Sequence, residues 1–365
     1  MASRFLGLGN GSDGVIALGA YTPLKYTCSG SSSTSSLTAT GTFSAGDRLF
    51  IHQSRGTGAG YYEDNRVASY TTGTITLVHP LEHTYTDSGN SQAQVLVVKE
   101  ASSVTGTITA PAWDGNVGGV FIIACNGVFN GIVSANAKGF RGGIGASDYD
   151  GYQGEGYPGY GVKTSPTNRT ANGNGAGGAS GSNNTSKQMP GGGGGGHAVA
   201  GTIGNDPASQ GTPGAAGGAI GTATLTSLYF GGGGGGGAGR HGGGVTWWDG
   251  GTGGTGGGII VVYANSFSST ASLIMNGANG GVGETGDSGA GGGGAGGSGL
   301  MKCVKGTIGS SKITATAGTG GASEAGAGAA GRIRIESCSL SGTTSPTAST
   351  ATGGHSYCGG GAFIF

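Results

Sequence analysis

The sequence predicts an all-β fold in which a small N-terminal β domain precedes a repetitive sandwich of β-strands and a glycine-rich polyproline II bundle. Three observations lead there. Glycine supplies 91 of the 365 residues, far above the roughly 7% of an average chain. Short apolar runs rich in β-branched and aromatic residues interrupt that glycine. No stretch carries a 3.6-residue apolar period for more than two turns, which leaves no amphipathic helix.

Each glycine loses more backbone freedom on folding than any other residue, so such a chain stays disordered or folds in a geometry only glycine permits. A collagen triple helix needs glycine at every third position and abundant proline. Nine prolines and no sustained three-residue register exclude it. Runs such as Val120-Phe121-Ile122-Ile123 and Ile259-Ile260-Val261-Val262-Tyr263 demand burial, which excludes a flexible linker.

Residues 1–110 read as short alternating strands, at 47–52, 74–78 and 93–98, broken by Gly73, Pro80 and the turn cluster 87–90. This is expected to be a compact β domain for attachment or assembly. Residues 111–365 form the repetitive domain. Four segments there share one pattern: a leading glycine (Gly119, Gly258, Gly299, Gly331), an apolar strand, a small polar turn, a weaker second strand, and an exit into glycine. A unit of this kind cannot bury its own apolar face, so the units must stack.

Stacking would bring the glycine segments out of one edge together. A polyproline II helix has three residues per turn and no internal hydrogen bonds, so its neighbours must satisfy its backbone. At the rim of a bundle it needs glycine on one face; surrounded on all sides, it needs glycine on all three. The unbroken runs 191–196 and 231–237 suit the second position, with Gly193 and Gly234 as the structural glycine core. Such a run spans roughly 20 Å. Mixed stretches such as 211–218 suit the rim.

The repeat pattern, with its last unit Gly328-Ala329-Ala330-Gly331-Arg332-Ile333-Arg334-Ile335-Glu336, is similar to glycine-rich-domain proteins of bacteria and their viruses. The six- and seven-glycine runs resemble the polyproline II sandwich of phage tail-fibre adhesins. The likeness is architectural and covers about residues 118–365. It implies that aromatic-bearing loops at the distal end of the bundle meet a receptor.

Seventeen basic residues against seventeen acidic ones, at 9% of the chain, leave no footprint for nucleic acid or an anionic membrane. No run approaches the roughly 18 apolar residues of a membrane span. The first eleven residues lack the apolar centre of a signal peptide. Synthesis in a host cytoplasm and release inside a virion are therefore expected. The five cysteines, Cys28, Cys125, Cys303, Cys338 and Cys358, contain no zinc-type pair, and packing is favoured over a metal or redox role.

Gly286-Asp287-Ser288-Gly289 matches the nucleophile segment of some serine proteases, but no catalytic-histidine motif accompanies it. No enzyme, cofactor or metal site is expected. Two aromatic clusters stand out instead: Tyr149, Tyr152, Tyr157 and Tyr160 among three acids, and Trp247-Trp248-Asp249 between glycine runs. A ring that stacks on sugar C–H groups beside a carboxylate that accepts hydroxyl protons suits glycan recognition. The alternative is that these rings cover the bundle or fill a subunit interface.

The expectation is a virion structural protein, a tail fibre, tip or capsid fibre adhesin. Its partners would be other virion proteins and a host surface glycan or protein, and it would form a homo-oligomer, with a trimer as one arrangement. A bacterial surface filament or adhesin is the alternative. An ice-binding protein is the remoter one, since it requires a regular threonine array on the rim and none is evident.

Overall fold

The computed structural model describes residues 4–146, 150–158, 179–180, 188–209, 211–241, 247–284, 287–353 and 358. The chain is all-β; the one helical element among these residues is the 3-10 turn Leu18–Ala20. The strands are β1 (Val15–Ala17), β2 (Lys25–Thr27), β3 (Ser36–Thr38), β4 (Arg48–Arg55), β5 (Tyr62–Thr71), β6 (Thr74–Leu77), β7 (Gln92–Val98), β8 (Glu100–Ala101), β9 (Ser103–Thr109) and β10 (Val120–Ser134). They continue with β11 (Ala179–Ser180), β12 (Gly211–Thr212), β13 (Arg240–His241), β14 (Trp247–Trp248), β15 (Ile259–Phe267), β16 (Ser272–Ile274), β17 (Ser298–Thr314), β18 (Arg332–Ser345) and β19 (Ser349–Thr352).

Strands β2 to β7 form a six-stranded antiparallel sheet in the order β2-β7-β4-β5-β6-β3. The centres of β4 and β7 are nearly continuous in apolar residues because both faces of this sheet are covered. Leu49, Ile51, Val95 and Val97 enter the sheet's own core with Leu37 and Ile75. Their neighbours Phe50, Leu96 and Val98 point the other way and pack on Val120, Ile122, Ile259 and Val261 of the second sheet.

That second sheet has nine strands, and every pairing within it is parallel. Its long strands are not straight. Ile259 N donates to Gly119 O and Gly258 N donates to Ala135 O, so both ends of 119–135 lie beside one point. An extended run of that length would separate its ends by about 50 Å. Each repeat is therefore an arch, an outgoing limb and a return limb joined by a bend, and register irregularities fall between the limbs at Cys125/Val128 and Thr307/Ser310. The arches are 119–135, 258–275, 297–315 and 331–345. Each leading glycine closes the arch before it, with Gly258 donating to Ala135, Gly297 to Met275 and Gly331 to Ala315.

Between the limbs lies the largest core, built from Phe121, Ile123, Phe129, Val262, Leu273, Met301, Ile313 and Ile335 among others. Burying each such side chain contributes about 1.5–3 kcal/mol. No arch could cover this strip alone, which is why four stack.

Three sequence expectations need correction. The sequence pattern puts Gly299 at the head of the third repeat, whereas Ile259 pairs with Ser298 and Ser298 with Arg332, so Gly297 is the equivalent of Gly258 and Gly331. The slip of two residues preserves the inward and outward alternation and so leaves the apolar pattern looking right. Residue 110 is not a break, because β1, β8 and β9 already belong to the arch sheet. Cys338 and Cys358 are not packing cysteines: they form a disulfide with Cα atoms 5.4 Å apart, while Cys28, Cys125 and Cys303 are buried thiols.

The glycine-rich segments between arches lie side by side and are tied together by backbone hydrogen bonds that repeat every third residue. The segment 289–297 is the clearest case. Gly289, Gly292 and Ala295 donate to Ala238, Gly235 and Gly232; Gly291, Gly294 and Gly297 donate to Gly281, Ala278 and Met275; Gly293 and Gly296 donate to Gly326 and Ala329. Its carbonyls accept from Gly251, Gly254 and Gly257, from Gly192 and Gly195, and from Gly318 and Gly321. Six neighbouring segments thus enclose it.

None of these glycines has a left-handed φ. They are required for space. A Cβ at Gly292 would fall inside contact distance of Gly193 O, one at Gly193 would strike Ala215 O, and one at Gly234 would strike Gly292 O. On the segment 250–258 two faces carry glycine and the third carries Thr252 and Thr255, whose side chains lie at the rim. There the sequence itself reads in threes.

Candidate functional site

The bundle has a foot and a tip. At the foot its segments run into the arches, through Gly258, Gly297 and Gly331. At the tip the segment ends meet: Ala146 N donates to Gly237 O, Gly250 N to Ala146 O, Ala238 N to Pro190 O, and Gly251 N to Gly289 O.

Trp247 and Trp248 lie at this tip, as β14, in a two-residue antiparallel ladder with β13 in which Trp248 pairs with Arg240 and Trp247 with His241. The Arg240 guanidinium lies 4.9 Å from the centre of the Trp248 ring and forms an ion pair with Asp287. A cation over an indole face holds that ring in place and contributes about 0.5–1 kcal/mol at an exposed site. Asp249 is exposed, and its N–H donates to Glu284 Oε2 at 3.0 Å while Glu284 N donates back to Asp249 O at 2.9 Å. Three carboxylates, one of them paired with the cation Arg240, and a half-exposed indole therefore share the tip.

The tyrosine cluster does not join this group as a unit. Tyr149 and Tyr160 lie outside the described residues. Tyr152 is half-buried near the tip, its carbonyl accepting from Gly236 N. Tyr157 sits at the foot: its carbonyl accepts from Gly56 N, and its ring meets Tyr229 edge-on at 5.8 Å. Between them, Glu155 is fully buried and bound to Arg55, to Arg141 at 3.0 Å and to Trp113 Nε1 at 3.0 Å. That carboxylate secures the joint between the antiparallel sheet and the bundle, so it cannot accept sugar hydroxyls. The separation follows from geometry, because residues in a packed bundle segment advance steadily from one end toward the other.

Sequence reading missed Arg240, Glu284 and Asp287. A signal was present: each is a charged residue between glycine runs, in a chain where charge is scarce. In the sequence Asp287 stands in a protease-like tetrad, and the structure instead pairs it with Arg240. The threonines Thr252 and Thr255, and Thr316 and Thr319, lie at the rim three residues apart.

Two histidines are buried and neutral. Burial pushes His52 down to about 4, against a partly offsetting hydrogen bond from its ring to Leu228 O at 2.9 Å. His197, at the foot of the bundle, is pushed down to about 3 by burial and by the nearby Arg332 charge. Burial raises Glu63 to about 7. No helix among the described residues is long and apolar enough to cross a membrane. No family model and no curated protein matches the chain.

Proposed function

We propose that the glycine segments are polyproline II helices packed as a bundle and that the chain is a virion fibre or tip adhesin, with the bundle tip as its host-contacting end. The three-residue repeat of the hydrogen bonds supports the first part, since three residues per turn is the polyproline II period. One observation carries the second part: Trp248, Asp249 and Glu284 gather at the end of the bundle farthest from the arches. Close-packed backbone offers few recognition features along its length, so recognition falls to the ends. A half-exposed indole beside exposed carboxylates suits a surface glycan.

A second reading is a cell-surface adhesin. The disulfide Cys338–Cys358 favours it, because disulfides persist in oxidising compartments.

The test is the double variant Trp247→Ala, Trp248→Ala. It should leave the fold nearly intact, as read by circular dichroism, and lower attachment to host cells at least tenfold, about 1.4 kcal/mol. Unchanged attachment with intact folding would move the receptor site elsewhere.

A further inference from the structure

We infer that copies of this chain stack head to tail through the two ends of the arch core. Among the described residues, the sheet has one free edge at β1; at its other end β19 covers Arg334–Ser337 of β18 and leaves the return limb of β18 as an edge. The core between the limbs is incompletely covered at these same ends: Ile16 and Tyr21 are half-buried at the β1 end, Leu340 and Ala348 at the β18 end. At the β18 end a cavity of about 140 Å³ opens among Ile308, Ile335, Leu340 and Ala348. Beside it a second cavity of about 290 Å³ is bordered by Val199 and Pro346, and Val199 is 59% exposed. An apolar patch next to unpaired strand backbone marks an interaction surface.

The direction of the strands selects the occupant. Each return-limb pairing, from β1 with β9 through to β17 with β18, is parallel. The two edges are therefore complementary by translation: a second copy moved along the stack sets its β1 against this β18 as one more parallel limb. Ile16 of the second copy would then meet Leu340, and the core would run on through the junction. A twofold pairing of two β18 edges would be antiparallel and would break that continuity. The contact is thus heterologous, and it grows as a filament unless the rotation closes a ring. It does not depend on what the bundle tip binds.

Sedimentation of the full chain over a wide concentration range tests this. Wild type should grow in mass with concentration. Ile16→Lys and Leu340→Lys should each stay monomeric while keeping the wild-type circular dichroism, and a mixture of the two should stop at a dimer, because each retains one intact end. If either variant fails to fold, hydrogen exchange of wild type replaces it, with the amides of residues 341–345 expected to be more protected at high concentration than at low. A wild type that is monomeric throughout, or a mixture that gives no dimer, overturns the inference. Growth only after removal of residues 359–365 also overturns it and assigns the edge to the chain's own end.

Discussion

The arch stack and the glycine bundle solve the same problem, burying a repetitive chain, with opposite materials. Between the arch limbs the space is filled by side chains, and Phe121, Phe129 and Leu273 are fully buried there. In the bundle the space is filled by backbone: Gly292 and Gly234 touch carbonyls of neighbouring segments with no room for a methyl group. One region is stabilised by removing apolar side chains from water, the other by hydrogen bonds between segments, made possible because side chains are missing. Removing atoms should damage the first, and adding them should damage the second.

The largest expected effect is in the arches. Phe121→Ala should cost about 4 kcal/mol through lost transfer energy and a cavity, read by denaturant unfolding. Gly292→Ala adds one carbon and should still cost about 3 kcal/mol, since the methyl would displace backbone that other segments hold in place. A neutral Gly292→Ala would mean that the bundle is loosely packed, and the contrast between the regions would fail.

Acid sharpens the comparison at the joint. His52 and His197 titrate near 6.5 when unfolded and well below that when folded. The unfolded chain binds protons first, so stability falls as pH drops from about 6.5 toward about 4 for His52 and about 3 for His197. Glu63, raised to about 7, acts in the opposite sense, losing stability as pH rises from about 4.5 to 7, so the two histidines outweigh it during acidification. His52→Gln should flatten the decline in unfolding free energy by on the order of 3 kcal/mol. An unchanged slope would place His52 in contact with water.

The smallest effect belongs to the rim. Thr255→Ala should shift stability by less than about 0.5 kcal/mol, because its face of the segment points outward. Equal losses for Thr255→Ala and Gly292→Ala in thermal melts would erase the distinction between rim and centre.

The sequence alone determined the β class, the repeat and the places where only glycine could stand. Apolar runs such as 120–123 and 259–263 carry the strand signal locally, and an unbroken glycine run admits few packed explanations. Its pattern of strand, polar turn and second strand showed two limbs per repeat, but it did not determine that the next repeat's leading glycine closes them into an arch, as Gly258 does on Ala135. Nor could it locate the repeat boundary at Gly297 or the start of the stack before residue 110, since a two-residue slip leaves the period of the strand unchanged. Glu155 and Tyr157 read as part of an exposed cluster, and only the tertiary structure placed them at the buried joint and at the foot of the bundle. Trp248 gained its partner Arg240 the same way, across the tip. Local pattern fixes which residues need burial or space, whereas which end of a bundle a residue occupies depends on how distant segments align, and that is decided only when they pack.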